Sequence, residues 1–239
     1  YYPTSVMETG HDILNFWVSR MVMLGLYRTG EVPFRDVYLH GLVRDAKGVK
    51  MSKSKGNVIS PLEVSEKYGT DALRMGLIIG NTPGMNLNLD PNKVNAYKKF
   101  ANKIWNIARF ILSSIDLDKI STYEVHSSDD KKLVDELDVI AKDVADDIDN
   151  YRLYLAAEKL YHYVWHRLAD EILEESKNIL QGDDAAVAQS RQAALYHLLK
   201  TSLTLLHPFM PFVTEEIWQA LPEKESEMLM VAKWPANEK

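Results

Sequence analysis

Hydrophobic and polar positions recur along this chain with two periods, one short and one helical. Residues 4–8 alternate weakly, as a short strand does. Ile13, Phe16, Trp17, Met21 and Leu24 then recur at helical spacing, predicting a helix to about Tyr27 with Asp12 at or near its N-cap. Gly30 ends that helix and Pro33 stands beyond it as a stop. Residues 36–43 are a mostly apolar run of strand length, read as an interior strand of a parallel sheet covered on both faces. Ser60-Pro61-Leu62-Glu63 has the residue order of a helix start, for a short helix that stops at Tyr68-Gly69. Thr70 caps another, with Leu73, Leu77 and Ile78 as its apolar face. Strand, helix, strand, loop, helix is the grammar of an α/β fold.

Residues 81–91 break the pattern, and a domain boundary is placed there, dividing the chain into 1–90 and 91–239. Beyond it the period is helical. Val94, Tyr97, Ala101, Ile104, Ala108, Ile111 and Ile115 predict one long helix. Residues 116–128 are polar and aperiodic, a linker. A second helix is predicted over 129–150 on Leu133, Leu137, Ile140, Val144 and Ile148, and a third over 153–180 on Ala157, Leu160, Val164, Leu168 and Ile172. Gly182-Asp183-Asp184 ends the third and caps a fourth over 185–206; a fifth, shorter one carries Thr214 to Trp218. Residues 228–234 are apolar and read as a strand or an extended tail. The fold class is α/β followed by an all-α bundle, mostly α overall.

Composition refines this picture in three ways. The chain of 239 residues contains no cysteine, which excludes thiolate zinc sites, disulfides and cysteine nucleophiles. No apolar run reaches membrane-spanning length and no signal peptide is evident, so cytoplasm is the expected compartment. The abrupt start at Tyr1-Tyr2-Pro3 suggests a piece of something longer. The net charge of −6 hides segregation: residues 91–115 carry Lys93, Lys98, Lys99, Lys103 and Arg109 without an acid, whereas residues 129–150 are strongly acidic. An anionic partner answers to the local field rather than to the sum.

Candidate chemistry concentrates at residues 48–57. Three lysines and two serines fall within positions 50–55, bracketed by Gly48 and by Gly56-Asn57. A cationic, glycine-bracketed loop between strand and helix presents ammonium and backbone N–H groups to phosphates. Lys50 and Lys53 would face the β- and γ-phosphates of a nucleotide. There they stabilise the charge that builds on departing pyrophosphate. The glycines let the loop close and reopen, so a mobile loop is expected.

Lys50-Met51-Ser52-Lys53-Ser54 is identical to the signature pentapeptide of the class I aminoacyl-tRNA synthetases, and the chain resembles that family along nearly its whole length, least across 116–200. His40-Gly41-Leu42-Val43 precedes the signature; Tyr68-Gly69-Thr70-Asp71-Ala72-Leu73-Arg74 follows it. Glu8-Thr9-Gly10-His11-Asp12-Ile13 and Phe16-Trp17 look like the valine-specific branch, since isoleucine-specific relatives have glutamine after that aspartate and a Gly-Trp-Phe run. Phe100-Ala101-Asn102-Lys103-Ile104-Trp105-Asn106 and the run from His207 to Trp218 resemble the helical part of the same enzymes.

The resemblance implies the second half of a Rossmann-like nucleotide-binding domain with helices that contact the tRNA stem, then an anticodon-binding bundle. It makes Lys53 the main catalytic residue with Lys50 assisting, and puts Met51, Ser52 and Lys53 against ATP. Gly10 and Asp12 would hold the ribose, although Asp12 also reads as a plain helix cap. His40 and Gly41 would lie near adenine and ribose at a strand end. Ile13 and Trp17 would line the valine pocket; as residues of an amphipathic helix they read equally as core. Lys103 and Phe110 would meet the anticodon, with Arg109 beside them. Phe110 stands off the predicted apolar face, and core remains the other reading for it. Trp105, Trp165 and Trp218 are assigned to packing. Partners would be ATP with Mg2+ as its counter-ion, valine and tRNA(Val), with no protein-ligated metal, no membrane and a monomeric state. The other class I signature, His-x-Gly-His, is absent, as is an editing insert, so this chain alone is expected not to activate valine. Two alternatives stay open: a stand-alone tRNA-binding module, and a class I enzyme specific for isoleucine or leucine.

Overall fold

Two seven-residue strands pair in parallel at the start of the chain. In the computed structural model, which describes residues 1–235 apart from the Lys53 side chain, β1 (Thr4–Gly10) and β2 (Phe34–His40) run in register from Thr4↔Phe34 to Gly10↔His40. The crossover between them holds α1 (Ser19–Thr29), which Gly30 ends in the left-handed conformation with its N–H on the Leu26 carbonyl. The helix predicted from Ile13 is not uniform. Residues His11–Ile13 form a 3-10 turn and Leu14–Val18 a π turn before α1 begins. Asp12 lies inside the first turn and makes no capping bond. The Ser19 hydroxyl donates to the Asn15 carbonyl, a back-bond of the kind that bends helices.

The strand predicted over 36–43 divides in two. β2 stops at His40, with Phe34 its one buried residue and Val37 exposed, so its faces are not covered as expected. After Gly41 the backbone turns to the segment near 84–89. Gly84 N–H donates to the Leu39 carbonyl (2.8 Å), Leu42 N–H to Asn86 Oδ1 (3.0 Å) and Leu87 N–H to the Leu42 carbonyl (3.0 Å). β3 (Val43–Arg44) then pairs in parallel with β4 (Leu87–Asn88).

The helices are α2 (Pro61–Tyr68), α3 (Thr70–Ile78), α4 (Pro91–Ser114), α5 (Ser128–Asp149), α6 (Leu153–His162), α7 (Leu173–Leu180), α8 (Ala185–Leu206) and α9 (Pro211–Gln219). Residues Tyr163–Ile172 join α6 to α7 as a π-helix, so the predicted third helix is one run with a π centre. Asp184 caps α8, accepting from Ala186 and Val187 N–H. Thr70 is not the cap of α3; that position is Gly69, and the Thr70 hydroxyl bonds Ser65 instead. The bundle core contains Val94, Phe100, Ile111, Leu137, Leu160, Leu168, Leu198 and Trp218, all buried. Trp105 departs from its packing assignment and is 46 % exposed.

The predicted linker is packed down. It holds a 3-10 turn (Ile120–Thr122) with Ile120 buried, and His126 and Ser127 N–H both donate to Ser190 Oγ. That hydroxyl donates to Asp130 (2.6 Å), which also pairs with buried Arg191; Arg191 in turn reaches Ser176 Oγ at 3.0 Å. Residues 228–234 contain a 3-10 turn (Leu229–Val231) rather than a strand, with Leu229 buried and its N–H on Glu215 (2.9 Å).

Contacts group the described residues into two units, Tyr1–Ser60 with Gly80–Pro91, and Pro61–Ile79 with Asn92 onward. Helices α2 and α3, placed before the sequence boundary, thus pack with the bundle. The buried Asp71 carboxylate of α3 accepts from Phe212 and Val213 N–H (3.2 and 2.7 Å), closing the open N-terminus of α9. Arg74 donates to the Phe209 and Pro208 carbonyls (3.1 and 2.7 Å). Among the described residues no helix is long and apolar enough to cross a membrane.

Candidate functional site

Parallel strands end together, and here the carboxyl ends of β1 and β2 bring Gly10, Asp12, His40 and Gly41 to one place. Gly10 and His40 are register partners. A Cβ on Gly10 would stand 2.7 Å from Asp12 Oδ1 and 3.5 Å from the His40 ring, so both side chains lie over bare backbone. Gly41 has no alternative: its Cβ would fall 1.6 Å from the Met85 carbonyl oxygen. His40 Nδ1 is 3.0 Å from the Gly41 carbonyl. The other ring nitrogen, Nε2, is 3.6 Å from Glu8 Oε1, so the ring is held between a carbonyl and a carboxylate. A carboxylate, an imidazole and a glycine floor at strand ends suit a ribose and a base.

Of the expected amino-acid pocket, Ile13 and Trp17 follow directly in the crossover. Both are exposed, Trp17 by 56 %, as is Phe16. They are therefore not buried in the core of this unit.

The lysine loop is built on a turn. Gly48 N–H donates to the Asp45 carbonyl (2.9 Å) and Asp45 N–H to the Val49 carbonyl (3.0 Å), with Gly48 at φ 77° and Gly56 at φ 64°, conformations that favour glycine. The Asp45 carboxylate accepts from Lys47 and Val49 N–H (3.0 and 2.8 Å) and from the Asn57 amide (2.9 Å). Those bonds, the Asn57 amide foremost, hold its pKa below the ordinary carboxylate value. Asn57 then reaches across the loop, accepting from Ser52 N–H (3.0 Å) and donating to the Lys50 carbonyl (3.3 Å). The backbone on both sides of Met51 is thereby fixed from the loop's far end. Residues Lys53–Lys55 make a 3-10 turn, with Lys55 N–H on the Ser52 carbonyl (3.1 Å). The Lys50 side chain is exposed and the Ser52 and Met51 side chains half-buried; that of Lys53 lies outside what the structure describes. A loop expected to be mobile is bonded at its base.

On α4 the five cations of the sequence do different things. Lys93 donates to the Ile79 carbonyl at 2.5 Å, and burial pushes its pKa down; Lys98 donates to the Lys67 carbonyl at 3.2 Å. Both serve packing. Lys103 pairs with Asp170 at 2.8 Å and lies 5.3 Å from the Trp165 ring centroid. Arg109 is exposed and Phe110 half-buried. Lys103 and Phe110 are seven residues apart and share one side of the helix.

Sequence reasoning missed Asp45, Asn57 and Asp170. The sequence marks Asn57 as a turn residue just past the signature, and its hydrogen bonds to the signature backbone are not legible there. Asp170 is 67 positions from Lys103, and nothing local marks it.

Comparison with known proteins finds two families along the chain. Residues 1–90 match the profile of "tRNA synthetases class I (I, L, M and V)", and residues 130–239 that of the "Anticodon-binding domain of tRNA ligase". The valine–tRNA ligase of Clostridium acetobutylicum is 43 % identical across 100 % of this chain, and that of Petrotoga mobilis is 47 % identical across 98 %. In each case the chain spans 27 % of the relative's length. Among solved structures, a LeuRS–tRNA–LeuAMS ternary complex of Agrobacterium radiobacter K84 has a TM-score of 0.77 at 23 % identity, covering 98 % of this chain and 28 % of its own. Mycobacterium tuberculosis methionyl-tRNA synthetase in complex with methionyl-adenylate has a TM-score of 0.74 at 23 % identity, covering 92 % of this chain and 44 % of its own. These structures share the fold.

Proposed function

We propose that this chain, whose residues 1–90 match the class I tRNA synthetase profile and whose residues 130–239 match that of the anticodon-binding domain, is part of a valine–tRNA ligase, contributing its signature phosphate loop and its anticodon-binding bundle. The division of labour follows residues 1–90 and 91–239, with α2 and α3 as the helices that meet the tRNA stem. The ligase acts as a cytoplasmic monomer. Whole-chain identity of 41–47 % to valine–tRNA ligases carries the choice of amino acid; the pinned signature loop carries the chemistry.

In the first step a valine carboxylate oxygen attacks the α-phosphorus of ATP. The bond to the β-phosphate oxygen breaks, and pyrophosphate leaves with its electron pair. Lys50 and Lys53 stabilise the charge that accumulates on it, together with the Mg2+ ion that accompanies ATP. Gly10 and Asp12 hold the ribose, while His40 and Gly41 border the adenine. Met51 and Ser52 position the loop backbone against the nucleotide, and Ile13 with Trp17 contacts the valine side chain. In the second step a hydroxyl of the tRNA's terminal ribose attacks the valyl carbonyl and AMP leaves. Lys103, Arg109 and Phe110 receive the anticodon loop, whose unstacked bases offer faces to an aromatic ring and phosphates to a cation.

Amino-acid-dependent ATP–pyrophosphate exchange tests the assignment. The full-length ligase containing this chain is expected to turn over with valine far above isoleucine or leucine. Turnover led by isoleucine or leucine would replace valine with that amino acid and leave the class unchanged.

A further inference from the structure

Lys103, the residue read above as meeting RNA phosphates, is not a free cation in the folded bundle. Its Nζ is 2.8 Å from Asp170 Oδ1, with the two side chains 31 % and 46 % exposed, and it lies 5.3 Å from the Trp165 ring centroid. The second carboxylate oxygen of Asp170 is 3.5 Å from His166 Nδ1. Asp170 and His166 both sit on the π-helix between α6 and α7, so the partner of Lys103 is held by an element other than its own. The Lys103 ammonium beside Asp170 keeps that carboxyl below its ordinary pKa, so it is ionised at neutral pH.

A phosphate that approaches Lys103 meets a cation already neutralised. Ion pairs this exposed are weak, and the exchange of carboxylate for phosphate is accessible to a polyanion. It is not free, however. Each phosphate that displaces Asp170 leaves a carboxylate behind to be re-solvated or re-paired, and releases fewer counter-ions overall than one that binds an unpaired lysine. His166 gives the displaced carboxylate a second partner four residues along its own helix.

We propose that Asp170 is a built-in competitor for the RNA: it holds Lys103 in the free bundle and exchanges places with a phosphate of the single-stranded loop, which sets both the affinity and the salt dependence of anticodon binding. This rests on the anticodon reading of Lys103. Asp170 acts through Lys103 and touches no reacting group.

Binding of a synthetic anticodon stem-loop RNA to the full chain tests it, measured across a salt series. Asp170→Asn is expected to tighten binding by about three- to tenfold at low salt and to steepen the dependence of log K on log salt by up to about 0.7, the share of one single-strand phosphate contact. Lys103→Gln is expected to weaken binding about fivefold or more and to flatten that slope. In the Lys103→Gln background, Asp170→Asn is expected to lose most of its effect. Thermal unfolding of each variant verifies that the bundle is intact. If Lys103→Gln weakens binding while Asp170→Asn leaves it unchanged or weakens it, the competitor role is overturned and the anticodon reading survives. Equal tightening by Asp170→Asn with and without Lys103 would also overturn it, since the carboxylate would then act on RNA directly. Hairpin binding indifferent to Lys103→Gln would overturn both readings.

Discussion

A single missing Cβ decides whether β2 can be followed by its turn toward β4. Gly41 lies against the Met85 carbonyl so closely that a methyl group would occupy the oxygen's place. Gly41→Ala is expected to destabilise the protein by about 3 kcal/mol, read as a lower urea midpoint, and a stability change under about 0.5 kcal/mol would contradict the packing described. Asp45 works at a different point. Its carboxylate gathers two loop N–H groups and the Asn57 amide, and Asn57 fixes the backbone flanking Met51. Losing the anchor displaces Lys50 without removing it. Asp45→Ala in the full-length ligase is expected to lower kcat for pyrophosphate exchange between about ten- and a hundredfold, with KM for valine unchanged. Asp45→Asn keeps one acceptor oxygen for the loop N–H groups but sets a donor against the Asn57 amide, and is expected to restore only part of it. A change confined to KM for valine would contradict the positioning role. Neither residue was singled out for these roles from sequence. Gly41 was chosen by resemblance, and the loop's own lysines drew attention from the carboxylate and amide that hold them.

Elements are joined here by a few buried polar groups, and these respond to substitution and to pH in calculable directions. Asp130 and Arg191 are both buried and pair across α5 and α8. Asp130→Asn leaves a buried guanidinium without its counter-charge and is expected to cost about 3–5 kcal/mol, whereas replacing both partners by apolar residues is expected to cost less. Equal costs would contradict a paired-charge account. His207 precedes α9, and its Nδ1 lies 2.9 Å from Thr214 Oγ1. Burial pushes its pKa below 6.5. The unfolded chain therefore binds protons at a higher pH than the folded one, and stability falls as pH drops from 6.5 through the lowered folded value. His207→Gln is expected to flatten that part of the melting profile; an unaltered acid slope would contradict it. Helical elements were legible because their apolar positions repeat. Phe100 and Ile107 simply extend the predicted face of α4. The irregular elements were not legible. The π segments at Leu14–Val18 and Tyr163–Ile172 keep an apolar stripe close to that of an α-helix, and the stripe does not reveal how the backbone bonds close. β2 was read as covered because its composition is apolar, yet composition does not say what lies over a strand.

At the scale of the whole molecule, the proposed function assigns two chemistries to two units, and each is expected to fail separately. In that proposal the loop unit handles phosphate departure and the bundle handles RNA. Both readings start from the sequence alone, because the signature pentapeptide and the basic helix are local strings. The sequence placed the seam differently from the contacts, since Asp71 and Arg74 reach α9 and the preceding turn over more than 130 positions, a distance at which no periodicity speaks. The most direct test is pyrophosphate exchange in the full-length ligase with Lys53→Ala, beside anticodon stem-loop binding by the same variant. The expected result is a loss of about 2.7–4 kcal/mol of transition-state stabilisation, roughly a hundred- to a thousandfold in kcat, with RNA binding unchanged. Exchange at the unaltered rate, with function lost only on Lys103→Ala, would contradict the account and leave an RNA-binding module in its place.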